Sequence, residues 1–397
     1  MKPISVTAKS IAPSATLAID TLAKQMKADG IDVIAFGAGE PDFNTPEHIK
    51  QAGIEAIRTN KTRYTPASGL PALKAAICAN IKQQYGLDYE NKNICVSSGA
   101  KHIVYMSVMA LCNPGDEVIL PAPYWVTYVE IIRMAGAVPV IIDTDERTHF
   151  KITAEMLEAA VTEKTKCLLL NNPSNPTGMV YTRQELESLM TVVQKHDLYV
   201  ISDEIYNTLT YGCTHTCLPT LGEDIKNRTI LIDGLSKTYA MTGWRVGYSA
   251  ANEEITKAMS NYLSHSTGST CTISQYAGME ALANVTDEAE QMRQAFDARR
   301  KYFLSRVAKI DGVSCIEPEG AFYIFMNIKP QLGKTFFGEK VETSAQFAQC
   351  LLKNGLVAVV PGDAFGAEGY IRWSYATSME MIREGLDRFE RFLKQGK

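Results

Sequence analysis

The chain has 397 residues, of which 46% are hydrophobic and 21% charged; this excludes a disordered chain and predicts two or three domains, or one large core with a smaller lobe. With 40 basic and 44 acidic side chains, the net charge of −4 provides no basic field for nucleic acid. No apolar run approaches the ~18 residues of a membrane span, no apolar stretch marks a secretory signal, and 9 scattered cysteines read as reduced thiols. The expectation is a soluble cytoplasmic enzyme with no metal, nucleic-acid or membrane partner.

The segment up to about Asp32 is polar and irregular except for Ala15–Lys27, where Leu17, Ala18, Leu22, Ala23 and Met26 approximate a helical stripe. From there helical patterns alternate with short aliphatic runs. The helices are predicted over Pro46–Thr59, Leu70–Tyr85, Lys101–Leu111, Trp125–Ala135, Ala154–Val161 and Arg183–Lys195. The strands are predicted over Glu117–Leu120, Val138–Ile142, Cys167–Leu170, Tyr199–Ile201, Thr229–Ile232 and Arg245–Ala250. Strand then helix, repeated, argues for βαβ units and a mainly parallel sheet. A long helix over Asp287–Ala308 follows. Beyond it come strands at Gly320–Ile328, Val357–Pro361 and Tyr370–Tyr375, with helices at Ser344–Lys353 and Glu380–Leu393. This mixture predicts a separate α+β lobe, with the boundary near residue 290.

Three partial motifs fall away on inspection. Gly37-Ala38-Gly39 lacks the third glycine of a dinucleotide fingerprint, since position 42 is Asp42. Ser236 stands where a phosphate loop needs glycine before Lys237. Cys213, His215 and Cys217 lack a fourth ligand and the usual zinc spacing, so an exposed loop is the simpler reading.

Open α/β sheets bind ligands at the carboxyl ends of their strands, and the residues there form a pattern. Asn175 follows one strand in a rigid turn with Pro173, Pro176 and Gly178; Asp203 ends the next, with Tyr206 three residues on. Ser236 and Lys237 follow a third, with Arg245 downstream. Serine hydroxyl plus guanidinium suits a phosphate monoester, and a lysine beside cations can form a Schiff base. Ser98, Gly99 and Ala100 lie where a strand runs into a helix start, a place for backbone amides to hold an anion. Trp125 offers a face for a planar ring. Together these residues describe a site for pyridoxal 5'-phosphate: Lys237 for the aldehyde, Asp203 for the ring nitrogen, Trp125 for the ring face, and Ser98, Gly99, Ala100, Ser236 and Arg245 for the phosphate.

The motifs Ala38-Gly39-Glu40-Pro41-Asp42-Phe43, Tyr64-Thr65-Pro66, Pro123-Tyr124-Trp125, Asn172–Gly178, Ser202–Tyr206, Ser236-Lys237 with Gly243–Gly247, and Ile371-Arg372-Trp373-Ser374-Tyr375 are highly specific in combination. With them the whole chain resembles the class I aminotransferases of the fold-type I pyridoxal-phosphate enzymes, most of all the bacterial aspartate aminotransferases of the prephenate-accepting subgroup. The resemblance implies an α/β large domain with a mostly parallel seven-stranded sheet flanked by helices. It adds a smaller α+β domain formed by both termini: 1–45 as an N-terminal arm and part of the small domain, 46–290 as the cofactor-binding domain, 291–397 as the C-terminal small domain. It also implies transamination between aspartate or glutamate and a 2-oxo acid by a ping-pong mechanism, in a homodimer. Lys237 then matches the lysine that binds the cofactor aldehyde and shuttles the proton. Asp203 matches the partner of the ring nitrogen, and Tyr206 and Asn175 match ligands of the ring oxygen. Tyr64 matches a tyrosine that reaches the phosphate from the neighbouring subunit. Arg372 matches the arginine that binds the substrate α-carboxylate, helped by Gly39 and Asn175. Lys101, Ser14 and Thr16 match substrate-side residues of the subgroup, with Lys101 reading the distal carboxylate. Aromatic, alanine-type or prephenate substrates, or a carbon–sulfur lyase reaction, are the alternatives on the same site.

Overall fold

The structure, a computed structural model, describes every residue except Ser14 and Val285, and every side chain except those and Ala15, Thr16, Leu17 and Asp20. The proposed substrate-side roles of Ser14 and Thr16 therefore lie outside the described residues. At its centre is a seven-stranded sheet. Its strands, in chain order, are β1 (Ile94–Ser97), β2 (Glu117–Ala122), β3 (Val138–Asp143), β4 (Thr165–Asn171), β5 (Tyr199–Asp203), β6 (Thr229–Gly234) and β7 (Gly247–Ala250). Their spatial order is β1-β7-β6-β5-β4-β2-β3, parallel throughout except for β7, which runs antiparallel to both neighbours.

Both faces of the sheet are covered, and the strand sequences show why. Along β4, Cys167 and Leu169 enter one apolar cluster while Leu168 and Leu170 enter another, the two-residue alternation of a pleated strand. The first cluster takes in the helices Ala100–Leu111, Thr127–Met134 and Glu253–Ser266; the second takes in Ala154–Ala160 and Arg183–Lys195. A sheet buried on both sides reads as continuous aliphatic runs, which is why these strands were visible in the sequence. The helix Arg183–Lys195 begins with a capping box: the Glu185 amide donates to the Thr182 hydroxyl, and the Thr182 amide to the Glu185 carboxylate.

A second apolar core gathers Ile34 and Phe36 from near the N-terminus with residues of the long helix Glu288–Val307 and of the C-terminal hundred residues. Its four-stranded antiparallel sheet is ordered Val360–Pro361, Tyr370–Ser374, Tyr323–Asn327, Ser314–Cys315. Ile34–Ala35 pairs in parallel with Val357–Ala358, so the early segment is laced into the late one. Ile205, Tyr206, Leu209 and Tyr211, which follow β5, belong to this same core.

The expected elements are found, with shifts at their ends. Pro46 caps its helix rather than entering it, and the Ser344 helix closes in a π-helical turn over Leu351–Gly355. The strand expected from Arg245 begins at Gly247, because Arg245 has φ +58° and leaves the extended path. The helices Glu253–Ser266 and Thr272–Ala283 were not anticipated. The second buries Ser274, Gln275, Ala277, Gly278, Ala281 and Leu282 on one face, which is largely small or polar, while Ile273, Tyr276 and Met279 are half-buried on the other, and so it shows no apolar stripe. Among the described residues no helix is long and apolar enough to cross a membrane.

Candidate active site

The carboxyl ends of β4, β5 and β6, the turns after β1 and β2, and the strand Tyr370–Ser374 converge on a cavity of about 450 Å³. Asp203 is the last residue of β5. Lys237 lies in the single helical turn Leu235–Thr238 that follows β6. Asn175 is presented after β4 by a turn with cis peptide bonds at Asn172-Pro173 and Asn175-Pro176. Its amide donates to the Asn171 side chain (2.8 Å), whose own amide group donates to the Asp203 carbonyl (3.0 Å). The turn is thereby tied to the end of β5.

Asp203 is 3% exposed. The Tyr128 hydroxyl donates to its Oδ2 at 2.7 Å and the Ile205 amide to its Oδ1 at 3.3 Å. Burial pushes its carboxyl up to about 6, against the opposing pull of those donors and of Lys237. Lys237 moves the other way. Burial, with the like charges of Arg245 and Arg372, brings its ammonium down to about 8, although Glu40 and Asp203 counteract this. Its Nζ donates to the Gly39 carbonyl at 2.5 Å. The Tyr206 hydroxyl lies 2.9 Å from that of Tyr323.

On the other side of the cavity, the helix Ala100–Leu111 starts at Gly99, whose φ is +88°. A side chain at Gly99 would bring its Cβ 2.2 Å from Arg245 Nη2, and one at Gly247 would bring its Cβ 2.2 Å from the Ala100 amide nitrogen. Both glycines are needed for this close approach. Arg245 donates to the carbonyls of Thr242 (2.9 Å) and Ser98 (3.2 Å), which lays its guanidinium along the helix start. Ala100, Ser236 and Arg245 line the cavity; Ser98 and Gly99 form the turn behind them.

Arg372, from the strand Tyr370–Ser374, is 2% exposed. It donates to Asn175 Oδ1 and to the Gly37 carbonyl, both at 2.8 Å, and its guanidinium lies over the Tyr323 ring at 4.4 Å. Among the described residues its Nε is buried without a partner and no carboxylate contributes to its ionisation, which burial lowers. A buried guanidinium held by neutral acceptors alone is a receptor for an anion brought by a ligand, because an uncompensated buried charge is costly.

At the rim, Lys101 Nζ lies 4.9 Å from the Trp125 ring centre, and Trp125 meets Tyr128 edge-on at 5.2 Å. Burial and the nearby Arg245 lower the Lys101 ammonium. Tyr64 does not join the cavity; it stands 99% exposed at the surface. His215 is engaged elsewhere, its Nε2 2.7 Å from the buried Glu204 carboxylate. The structure adds residues that the sequence reading did not single out. Tyr128 holds Asp203, and its signal was its place one helical turn after Trp125. Tyr323 touches both Tyr206 and Arg372. Thr242 donates to Glu40 at 2.8 Å, and Lys24 lines the cavity mouth.

The description of aminotransferase class I and II matches residues 31–389. An aspartate aminotransferase of Bacillus sp. (strain YM-2) is 46% identical over 97% of this chain and 98% of its own. An aspartate/prephenate aminotransferase of Cereibacter sphaeroides is 43% identical over 98% of each chain. The crystal structure of the aspartate aminotransferase from Rhizobium meliloti superposes with a TM-score of 0.96 over 100% of both chains, at 40% identity. The cavity and these full-length likenesses agree, and the chain belongs to the class I and II aminotransferases.

Proposed function

We infer that this chain transfers the amino group of aspartate or glutamate to a 2-oxo acid such as 2-oxoglutarate or oxaloacetate, using pyridoxal phosphate, in two successive half-reactions. The observation that carries the reading is the convergence on one cavity of a half-buried lysine, a buried carboxylate and a buried arginine without a carboxylate partner among the described residues. The cavity fits the cofactor. The glycine-lined helix start with Arg245 is a cradle that a Cβ would fill, and the buried Asp203 carboxylate gains from a cationic ring nitrogen.

When bound, pyridoxal phosphate supplies an aldehyde for the amino group and a conjugated ring that accepts the electron pair left on the substrate carbon. The residues divide the rest of the work. Ser98, Gly99, Ala100, Ser236 and Arg245 hold the phosphate. Trp125 covers one ring face. Asn175 and Tyr206 reach the ring oxygen, and Asp203, fixed by Tyr128, keeps the ring nitrogen protonated. Arg372, with Asn175 and the Gly39 backbone, takes the α-carboxylate and so orients the Cα–H bond. Lys237 Nζ binds the aldehyde at rest. As a free amine it would take a proton at the substrate Cα and give it back. An amine lowered to about 8 is a competent base near neutral pH. Lys101 meets the distal carboxylate.

The division into an arm and small domain (1–45 and 291–397) around a cofactor domain (46–290) is supported by the core that joins Ile34 and Phe36 to residues from Met292 onward, although Ile205, Tyr206, Leu209 and Tyr211 also enter that core. The exposed Tyr64 ring supports a homodimer in which it reaches the neighbouring cavity. A cytoplasmic location fits the absence of a membrane-spanning helix among the described residues. The test is direct: aspartate plus 2-oxoglutarate should yield oxaloacetate with parallel-line kinetics, from a species of twice the chain mass in sedimentation equilibrium. No oxaloacetate overturns the activity, and a monomer overturns the shared site.

Asp203 also gives a stability prediction. Its folded-state value of about 6 lies above the ordinary 3.8, so the folded chain holds the proton more tightly. Stability is therefore lost as pH rises through that window, by roughly 3 kcal/mol once both states are ionised. In the cofactor-free protein, Asp203→Asn removes this slope. The melting temperature of the variant relative to wild type should climb between about pH 4 and pH 7, even as activity disappears. A difference that does not change with pH contradicts the buried, proton-retaining carboxylate.

A further inference from the structure

We propose that Tyr323 is a positioning residue for the reaction: its hydroxyl donates to the Tyr206 hydroxyl and so turns the Tyr206 proton toward the cofactor ring oxygen. The proposal rests on the transaminase reading above and adds a residue to the machinery at that oxygen.

The sheet of the smaller lobe sets the placement. Tyr323 opens the strand Tyr323–Asn327, which pairs antiparallel with Tyr370–Ser374 and sets Phe325 opposite Arg372. Tyr323 stands two positions before Phe325 and therefore on the same face, as a diagonal neighbour of Arg372. The contact is made: the guanidinium carbon lies 4.4 Å from the Tyr323 ring centre. Tyr206 comes from the segment after β5. Its ring meets that of Tyr323 edge-on at 5.9 Å, with the two hydroxyls 2.9 Å apart. Both residues line the cavity and both are buried. Gly39 crosses the same point. A Cβ there would come 3.3 Å from Tyr323 Oη, so glycine lets the carbonyl that holds Lys237 lie against the phenol pair.

The direction of one proton decides what the pair can do. Each phenol has a single O–H to give. If Tyr206 gives its proton to Tyr323, none remains for the ring oxygen. If Tyr323 gives, the Tyr206 proton is free and is polarised by the bond that Tyr206 accepts. The surroundings favour Tyr323 as the donor. A cation on its ring face stabilises the electron-rich side of that phenol and makes its O–H the better donor. Burial pushes the Tyr206 phenol well above its ordinary range and the Tyr323 phenol up as well, with Arg372 the main opposing pull at Tyr323. The charges that face Tyr206 are Arg372, Asp203 and Lys237, whose Nζ lies 5.7 Å from the Tyr206 ring centre. Among the described residues, Tyr323 is the group in hydrogen-bond contact with the Tyr206 hydroxyl. A donor at the ring oxygen stabilises negative charge there, and so lowers the proton affinity of the Lys237 nitrogen when the cofactor is bound to it.

The experiment follows the absorbance of the lysine-bound cofactor in the holoenzyme against pH. Tyr323→Phe removes the hydroxyl and keeps the ring beneath Arg372. The midpoint of its titration should rise by about half a pH unit. Tyr206→Phe should raise it further. Adding Tyr323→Phe to Tyr206→Phe should then change it by less than about 0.2, because Tyr323 acts through Tyr206. A lower midpoint in Tyr323→Phe means that the proton runs from Tyr206 to Tyr323, and overturns the proposal. So does an unchanged midpoint, or a full further rise in the double variant. Succinate, an unreactive carboxylate, should bind Tyr323→Phe with a Kd within about twofold of wild type. A larger loss would place the hydroxyl in support of Arg372 and overturn its assignment to Tyr206. A wild-type holoenzyme with no lysine-bound absorbance band would instead overturn the transaminase reading itself, before any variant is compared.

Discussion

Lys237→Ala should lower turnover by about four orders of magnitude, the upper range for losing a positioned acid–base group, and should remove the absorbance band of the lysine-bound cofactor. The expectation follows from geometry. Lys237 sits one short turn beyond β6, and the start of that turn is fixed: the Asp233 carboxylate accepts from the Gly234 amide, from Asn207 (2.8 Å) and from Tyr248 (3.0 Å). From there the lysine side chain extends into the cavity, where it would meet the aldehyde and the substrate carbon. Alanine leaves the cradle and Asp203 in place, so the variant should still retain cofactor through its phosphate. Loss of turnover with retained cofactor separates the chemical role from a folding defect. Normal turnover would contradict the site.

Arg372→Leu should cut kcat/KM by about 10²- to 10³-fold, since truncating one partner of a buried charged hydrogen-bonded pair costs roughly 3–4 kcal/mol. Every amino acid carries an α-carboxylate, so aspartate, glutamate and alanine should suffer alike. That uniform loss distinguishes Arg372 from Lys101, whose removal should hurt dicarboxylic substrates alone. Arg372→Lys should recover only part of the activity, because an ammonium cannot present the planar pair of donors that now meets Asn175 and Gly37. A loss confined to acidic substrates would show that Arg372 and the rim have been assigned the wrong ends of the molecule.

The sheet was legible because its strands are buried on both faces and its helices bury one. Thr272–Ala283 was not, because its buried face is largely small or polar while Ile273, Tyr276 and Met279 lie on the half-buried face, and no apolar period survives. Within the site, residues carried on local signals were visible: Asp203 and Lys237 at strand ends, Gly99 at a helix start, Asn175 in a proline-bounded turn. Arg372 entered through family likeness alone. Its isolation from carboxylates is a property of the packed lobe that no local pattern encodes. Tyr323 escaped for the same reason, since it meets Tyr206 across 117 positions of chain. Tyr64 shows the opposite limit: its proposed role needs a second chain, and a single chain shows only an exposed ring.

The central claim is that this site moves amino groups from acidic amino acids. A half-reaction scan tests it most directly: the holoenzyme is mixed in turn with aspartate, glutamate, asparagine, alanine, phenylalanine and cystathionine while the cofactor spectrum is followed. The account predicts fast conversion to the amine form with aspartate and glutamate and slow conversion with the uncharged amino acids, asparagine included. Fast conversion with alanine or phenylalanine, or release of pyruvate from cystathionine, would contradict it.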